Sequence, residues 1–352
     1  MKRRILVVVG VAGLVMAGSS LPLTFAQSAQ GKAPTVKAKA TPNPAAKTRR
    51  TAWGDPDLSG IWNIATSTPL QRPDRVAGKD VLSDEEAAEF QEELAHDLNR
   101  DRRDGGPDAD VNRAYNEHWM DARRLQIVKD KRTSLIVDPP DGRIPPLVPL
   151  TPEAQQRRDA GAAAARRFAI GMPRGPEEMS NPVRCIIRTD RPPYLPTIYN
   201  NTYQIFQSPG YVAILAEMIH SARIIPLDGR PHLRPHLQQW LGDTRGRWDG
   251  DTLVVQTTNF RPDSTFGEAN PATLKLTERF TRIEPNTIAY EFTVEDPSTW
   301  TRPWTAVIPW NKTEDQLYEY ACHEDNYDIV HLLMGARKRE KAGEVSGEGT
   351  QK

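Results

Sequence analysis

Three residues within a span of seven positions carry side chains that could move a proton beside an anion: Glu217, His220 and Arg223. They stand where one predicted strand ends and the next begins. A bulge or turn at Ser221 would bring His220 and Arg223 to the same rim, where histidine titrates near neutral pH and arginine holds an anion. The alternative is a Glu–Arg ion pair that only stabilises the rim. The sequence leaves both interpretations open.

Another group of reactive side chains, His323 and Glu324, directly follows Cys322. Cys185 and Cys322 are the only cysteines, and 137 residues separate them. In an exported protein they favour one disulfide bond over a nucleophilic thiol beside His323. The bond would fix the backbone and hold His323 or Glu324 in place, as an acid–base site requires. An exposed histidine and a carboxylate near the cap of the next helix explain the same residues equally well.

Alternating side chains over 287–296 offer a third type of chemistry. Apolar residues occupy one face of this predicted strand, and Glu291 lies on the other. If the polar face lined a cavity, Glu291 and Glu278 of a neighbouring strand would form a carboxylate pair with shifted pKa values. A solvent-exposed polar face is the alternative. Together with aromatic side chains that suit a ligand pocket, these give the predicted ligand-binding residues Tyr203, Trp240, Glu278, Glu291 and Trp300.

Motifs for nucleotide, metal or serine-hydrolase sites are absent from the sequence. It contains no Gly-x-Gly-x-x-Gly, phosphate loop, His-Glu-x-x-His or Gly-x-Ser-x-Gly. His232 and His236 have the i,i+4 spacing of a helical metal pair, but Pro231 and Pro235 exclude a helix there. Two surface histidines are the favoured interpretation. The sequence therefore predicts no cofactor and no metal.

The elements that must position these side chains are a long series of short strands. Turn signals such as 208–210, Asp249-Gly250 and 284–286 separate them. Connections this short pair neighbouring strands antiparallel, and a long antiparallel meander closes into a barrel to protect its edges. After a hairpin over 132–147, the predicted strands are 199–207, 211–219, 223–226, 238–242, 246–248, 252–260, 274–283, 287–296, 304–310 and 317–322.

Helices are predicted before these strands and after them. Ser83 and Glu86 have the spacing of a capping box, which predicts a helix to about residue 102. Thr151-Pro152 opens another helix that runs to about 169, and a further helix is predicted over 113–124. At the other end, Asp325 is predicted to cap a last helix that ends near Ala336.

Two parts of the sequence resemble known proteins. Gly60-Ile61-Trp62 ahead of the strands resembles the first-strand Gly-x-Trp of lipocalin-like barrels. The stretches "GRWDGDTLVVQTTNF" and "ERFTRIEPNTIAYEFTVEDPSTWTRPWT" resemble a family of exported bacterial proteins whose function is unknown. This resemblance spans about 58–336 and implies an exported, lipocalin-like (calycin-type) β-barrel. The helices inserted at about 83–169 depart from an ordinary lipocalin, in which hairpins join the strands.

The N-terminal segment predicts export, and both ends of the chain are predicted to lie outside the folded domain. A basic start, an apolar stretch and the cleavage-type sequence Thr24-Phe25-Ala26 predict a signal peptide over 1–26, with an uncleaved anchor as the alternative. Residues 27–50 lack apolar periodicity and are predicted to form a disordered tether, as is the tail at 339–352. A single barrel domain, 51–338, remains between them.

The charge of the predicted domain argues against nucleic acid as a partner. The chain has 46 basic and 46 acidic residues, but its first 50 residues hold nine basic and no acidic ones. The remainder is therefore acidic, with 37 basic against 46 acidic residues. Nucleic-acid binding requires a basic face. With 38% hydrophobic residues, the chain can build a core, and its composition excludes a polytopic membrane protein.

These observations lead to one leading hypothesis and two alternatives. The leading hypothesis is a periplasmic or secreted barrel that binds a small organic ligand in its cavity. It has no membrane span after signal cleavage. The first alternative is a cofactor-independent acid–base enzyme (a lyase, isomerase or hydrolase) that uses Glu217, His220, Arg223, His323 and Glu324. The second, which the sequence favours less, is an envelope protein-interaction module, for which the sequence names no protein partner.

Overall fold

The predicted antiparallel strands are present and form one sheet. The structure is a computed structural model that describes residues 49–99, 101–102, 104–107, 121, 125–264, 266–324 and 326–343. Within these residues lie ten strands: β1 Gly60–Asn63, β2 Ile136–Asp138, β3 Thr202–Ser208, β4 Tyr211–Ala216, β5 Ala222–Pro226, β6 Asp243–Asp249, β7 Thr252–Thr258, β8 Lys275–Glu284, β9 Thr287–Glu295 and β10 Trp304–Lys312.

Nine of the strands follow one another in the order β5-β4-β3-β1-β10-β9-β8-β7-β6, and β2 pairs with β10 beside this path. Every neighbouring pair on the path is antiparallel, so the end strands β5 and β6 run in the same direction. No ladder joins these two described strands, yet they lie close together. A Cβ atom at Gly246 of β6 would stand 2.6 Å from Cγ2 of Ile225 in β5. The sheet is therefore a nearly closed barrel, which confirms the predicted fold class.

Side chains alternate between the inside and the outside of the barrel along β8 and β9. Tyr290 and Phe292 are fully buried, whereas Glu291 between them lies on the outer face opposite Arg279. The same alternation buries Glu278 in β8 and turns Arg279 outward. The apolar faces of the strands therefore form the inside of the barrel.

Aromatic side chains fill the inside of the barrel. Tyr203 of β3 stacks on Trp310 of β10 with ring centroids 4.9 Å apart. Phe280 and Tyr290 lie 4.8 Å from each other on β8 and β9. Rings of this size contribute most of the buried apolar area of a core. The largest fully buried side chains include Trp62, Trp304, Trp310, Tyr194, Tyr203, Tyr290, Phe260, Phe280 and Phe292.

Three helices lie within the described residues: α1 Asp84–Leu98, α2 Pro152–Ala169 and α3 Asp328–Lys341. The predicted capping box at the start of α1 is formed by Ser83 and Glu86. Helices α1 and α2 confirm the predicted helical insertion, and α3 confirms the C-terminal helix. The cap of α3 is Tyr327, and Asp325 lies outside the described residues. None of the described helices is long and apolar enough to cross a membrane.

Some predictions concern residues that the structure does not describe. These are the signal peptide at 1–26, the tether up to residue 48, the tail from residue 344 and the helix at 113–124 apart from Asp121.

Two predicted strands are wrong, because neither segment forms a ladder with a described strand. Residues 238–242 make only an isolated bridge to Phe260. Residues 317–322 make no ladder, and the N–H of Tyr320 donates to the ring of His220 instead. The predicted hairpin at 132–147 is not formed either: its first strand is only β2, which pairs with β10, and in its second half Leu147 makes only an isolated bridge to Trp300.

Cys185 and Cys322 form the predicted disulfide bond, with their Cα atoms 5.6 Å apart. The bond joins the loop before β3 to the segment after β10. Asn326 supports the same junction, since its side chain donates a hydrogen bond of 2.9 Å to the carbonyl oxygen of Val183.

Candidate functional site

Arg223, a predicted catalytic residue, lies inside the barrel. Its side chain is 2% exposed, and that of Glu278 on β8 is 0% exposed. The guanidinium donates two hydrogen bonds to the Glu278 carboxylate, one of them 3.0 Å long. Its Nε and Nη2 atoms donate to the hydroxyls of Thr244 and Thr257, at 3.1 and 2.6 Å. Arg223 therefore connects β5 to β6, β7 and β8.

The ion pair continues into the aromatic core. The hydroxyl of Tyr290 donates to Glu278 at 2.8 Å and accepts from the N–H of Tyr194 at 3.1 Å. Burial lowers the pKa of Arg223, but the charge and hydrogen bonds of Glu278 outweigh burial and raise it. Burial also raises the pKa of Tyr290 well above its ordinary value, and the charge of Glu278 adds to the shift. The Glu–Arg pair predicted at the rim is therefore not formed, because Arg223 pairs in the core with Glu278.

Glu217 occupies the rim position that the sequence predicts, directly after β4. It is 7% exposed. Burial raises the pKa of Glu217, and the nearby charge of Asp121 adds to the shift, while hydrogen bonds from Thr202 and the Tyr318 backbone oppose it. A carboxyl group with a raised pKa can exchange a proton closer to neutral pH, as general acids and bases do.

The turn after Glu217 has a strained backbone. Ile219 and His220 are consecutive residues with positive φ angles of 61° and 55°. This left-handed region is unfavourable for a β-branched side chain, and such strain is concentrated at functional sites. The turn directs the ring of His220 toward the segment after β10, where its Nε2 accepts from the N–H of Tyr320 at 2.6 Å. The same Nε2 lies 3.3 Å from the carbonyl oxygen of Tyr318.

Asp190 is a further member of this site, and no sequence pattern pointed to it because it stands in a proline-rich loop. It is 1% exposed, and its Oδ1 accepts from the N–H of Arg188 at 2.6 Å. Burial raises the pKa of Asp190, while a hydrogen bond from the Ser221 hydroxyl opposes the shift. Its Oδ2 is buried without a hydrogen-bond partner in the described part of the chain. We refer to Asp190, Glu217, His220 and Ser221 as the rim cluster.

Tyr203 lies beside the rim cluster. Burial raises the pKa of Tyr203 well above its ordinary value, and the charges of Asp190 and Glu217 add to the shift. The N–H of Glu217 donates to the carbonyl oxygen of Thr202, so the structure brings the predicted residues Glu217 and Tyr203 close together, with the Tyr203 ring inside the barrel and His220 on the exposed turn. The two carboxyl groups of the rim, Asp190 and Glu217, could donate and accept protons.

His323 and Glu324 are exposed and follow the disulfide bond. His323 is three residues beyond Tyr320, whose backbone contacts His220. Among the described residues, no hydrogen bond links His323 or Glu324 to the rim cluster. The disulfide thus holds the segment that contacts His220.

The other predicted ligand-binding residues lie in separate places. Trp240 is half-buried, with the guanidinium of Arg261 4.4 Å above its ring. Trp300 is 5% exposed and packs into the core. Glu278 faces inward and Glu291 outward, so the predicted carboxylate pair is not formed.

His232 has a partner that its sequence spacing did not reveal. Its Nδ1 lies 2.8 Å from the carboxylate of Asp243, which also accepts from the Leu233 N–H and from Arg245. These contacts orient the imidazole and hold the loop between β5 and β6. His236 is exposed. The described residues contain no group of three His, Cys, Asp or Glu side chains that could hold a metal ion.

A cleft of about 640 Å³ lies on the outer face of the barrel, between β9, β10 and the segment 126–132. We call it the outer cleft. Its floor consists of small and apolar residues, among them Ala289, Val307 and Pro309. It opens where β10 changes its neighbour, since the start of β10 pairs with β2 and its end with β1. None of the predicted site residues lines this cleft.

Charged residues at the edge of the outer cleft form ion pairs with one another. Lys129 lies 2.7 Å from Glu284, and the hydrogen bond from Lys129 lowers the pKa of that glutamate. Arg132 pairs with Asp130 at 2.7 Å and donates to the carbonyl oxygen of Val307 at 2.7 Å. The cleft therefore combines an apolar floor with a polar edge whose charges are already balanced.

The sequence matches no protein-family model, and no curated protein matches it either.

Proposed function

We propose that this protein binds a small organic molecule in the outer cleft. The observation that carries the proposal is the volume of the cleft, about 640 Å³, which lies within the range of roughly 300–1,000 Å³ common for ligand sites. An apolar floor with a few polar groups at the edge is also typical of such sites. The inside of the barrel is occupied by aromatic rings and the Arg223–Glu278 pair, so we place the ligand outside it.

The balanced charges favour a neutral ligand. Lys129 and Arg132 each pair with an acid at the cleft edge, and Lys312, the third cation of the lining, lies 3.8 Å from Glu314, so a charged ligand would compete with existing ion pairs. A neutral molecule would leave these pairs intact and could bond to the polar side chains that also line the cleft. These are Asn63, Thr66, Gln126 and Asn311.

We propose that binding takes place in the periplasm or outside the cell. The signal-peptide pattern over 1–26 supports export. So does the Cys185–Cys322 bond, because disulfides persist in oxidising compartments. The test is the intact mass of the protein in the periplasmic or secreted fraction of its host. A chain that begins at Gln27 is expected, and a full-length chain confined to the cytoplasm would contradict export.

The ligand proposal is tested with a variant that fills the cleft. Ala289 is 7% exposed and lies on the cleft floor, so Ala289→Phe places a ring where the ligand would lie. Ala213→Phe adds the same ring on β4, at a position that does not line the cleft. Native mass spectrometry of wild-type protein from its own compartment is expected to show a co-purifying small molecule. Ala289→Phe is expected to lose that molecule, and Ala213→Phe to keep it.

Two results would contradict the ligand proposal. One is a clean apo mass for the wild type together with no binding of any member of a neutral fragment library. The other is equal ligand loss in both phenylalanine variants, since the added ring would then act through general destabilisation. Circular dichroism establishes that each variant is folded before binding is measured.

A second candidate function, a cofactor-independent acid–base enzyme, is favoured by the rim cluster. Its specific support is the strained Ile219–His220 turn between Glu217, which has a raised pKa, and Ser221, which contacts Asp190. An activity screen of lyase, isomerase and hydrolase substrates separates the two candidates. Activity lost in Glu217→Gln but kept in Ala289→Phe would assign the chemistry to the rim. Loss in Ala289→Phe alone would assign it to the outer cleft.

A further inference from the structure

A second, smaller cleft of about 350 Å³ lies beneath helix α1. We call it the helix cleft. Phe90 and Leu94 of α1 form one wall, the segments 66–70 and 195–198 form two others, and Leu125 and Leu135 complete the lining. No charged residue lines the cleft, so it offers no partner to an ionised ligand and favours an uncharged, apolar one.

One polar side chain in the helix cleft lacks a partner. Ser67 is 4% exposed, and its hydroxyl oxygen has no hydrogen-bond partner within the described residues. The neighbouring hydroxyls are all satisfied: that of Thr66 donates to Gln126 O at 2.7 Å, that of Thr68 accepts from Val128 N–H at 3.0 Å and that of Thr197 donates to Tyr199 O at 2.6 Å. A buried polar group without a partner is unfavourable, and a ligand that supplies the missing hydrogen bond relieves it.

Helix α1 leaves room for such a ligand. Phe90 and Leu94 are only partly buried, and the guanidinium of Arg75 lies 4.3 Å from the centre of the Phe90 ring. The other surface contacts of the helix include ion pairs such as Arg75–Glu93 and Lys79–Glu86. Pairs of this kind contribute little when they are exposed to solvent. The apolar face of α1 therefore covers the cleft without filling it, and a ligand beneath it would add the contacts that this face lacks.

We propose that the helix cleft binds a compact, uncharged organic molecule of the phenol type. Its apolar body lies against Phe90, Leu94 and Leu135, and its single hydroxyl group bonds to Ser67. This site does not depend on the proposed function, because the helix cleft and the outer cleft share only Thr66 among their lining residues. The ligand stabilises α1 on the barrel.

The test compares two probes that differ by one hydroxyl group, 4-propylphenol and propylbenzene, by titration calorimetry. The wild type is expected to bind 4-propylphenol about tenfold more tightly than propylbenzene, a typical effect of one buried hydrogen bond. Ser67→Ala is expected to bind both probes with equal affinity. Hydrogen exchange of the α1 amides is expected to slow when 4-propylphenol saturates the wild type.

Matched variants locate the binding site. Leu94→Trp fills the helix cleft and is expected to abolish binding of both probes, whereas Ala289→Phe in the outer cleft is expected to leave it unchanged. The proposal is overturned if 4-propylphenol does not bind at its solubility limit, or if the tenfold preference persists in Ser67→Ala. It is also overturned if Ala289→Phe, and not Leu94→Trp, removes binding. Failure of the outer-cleft proposal alone leaves these outcomes unaffected.

Discussion

Arg223 reaches from β5, one end strand of the sheet, across β6 and β7 to Glu278 on β8. No backbone ladder joins the described strands β5 and β6, so this side chain supplies hydrogen bonds where the barrel lacks them. Taking two charges out of water is unfavourable, and a buried ion pair adds little net stability over apolar residues of the same volume. The contribution of the pair is therefore to specify which strands meet at the open edge.

Glu278→Gln is expected to be strongly destabilising. It leaves the Arg223 guanidinium buried without a counter-charge, which typically lowers the free energy of unfolding by about 3–5 kcal/mol. The measurement is urea denaturation followed by circular dichroism. Arg279→Gln on the outer face of the same strand is the control, and a loss below about 1 kcal/mol is expected there because its ion pairs face solvent.

The double variant Arg223→Met/Glu278→Leu separates the charge from the packing. Since no buried charge remains, it is expected to be more stable than Glu278→Gln alone. If Glu278→Gln behaves like Arg279→Gln, or if the double variant is the least stable of all, the buried charge is not the cause of the destabilisation.

The antiparallel pairing of strands that follow one another along the chain was predictable because it depends on local turn signals, whereas the pairing of β1 with both β3 and β10 joins segments far apart in the sequence and was not. Asp249-Gly250 sets a tight turn, and the register Trp248↔Leu253 follows directly from it. No sequence signal predicts the contact of β5 with β6, because this contact depends on the closure of the whole sheet. For the same reason the pairing of Arg223 with Glu278, 55 residues away, could not be predicted from the sequence.

The residues of the candidate sites also differ in whether a local sequence signal predicts their position. Glu217 and His220 were predictable because they flank a connection between two strands. Asp190 was not, since a proline-rich loop has no periodicity that would place it against Ser221. The outer cleft depends on Ala289 and Pro309 standing opposite each other on neighbouring strands. That proximity is a consequence of the register, which the residue types alone do not determine.

Glu217→Gln is expected to change how stability depends on pH. The pKa of Glu217 is raised in the folded protein from its ordinary value of 4.5, mainly by burial. Its protonated form therefore contributes stability that is fully present below about 4.5 and is lost as the pH rises through the folded pKa. Glutamine does not ionise, so the stability of Glu217→Gln relative to the wild type is expected to increase with pH and then level off.

Urea denaturation at a series of pH values from about 4 to 8 measures this difference. Glu319→Gln is the control, because Glu319 is exposed and lies in the same segment as Tyr318, which contacts Glu217. Its stability relative to the wild type is expected to stay constant. A Glu217→Gln difference that is flat, or that decreases with rising pH, would show that burial does not disfavour the Glu217 carboxylate.

Removal of the disulfide bond is expected to destabilise the protein and loosen the segment beside His220. Closing a loop of 137 residues contributes about 5 kcal/mol by its effect on the unfolded chain. Cys185→Ser/Cys322→Ser is expected to lose about this amount and to show faster amide exchange over 317–322. Reductant is expected to lower the free energy of unfolding of the wild type by the same amount and to leave that of the double variant unchanged. Unchanged wild-type stability after titration of two free thiols would contradict this.

Alanine substitutions at two glycines, one in β6 and one in α2, test how closely β5 and β6 approach each other. A Cβ atom at Gly246 would lie 2.6 Å from Ile225 and 2.7 Å from Leu227, whereas at Gly161 in α2 it would meet nothing within 4 Å. Gly246→Ala is therefore expected to destabilise the protein by about 1–3 kcal/mol, because the two end strands must separate. Gly161→Ala is expected to stabilise it by about 0.5–1 kcal/mol, since alanine favours the helix. Thermal and urea denaturation of both variants measure the two effects. A Gly246→Ala protein as stable as the wild type would show that β5 and β6 do not approach each other at this position.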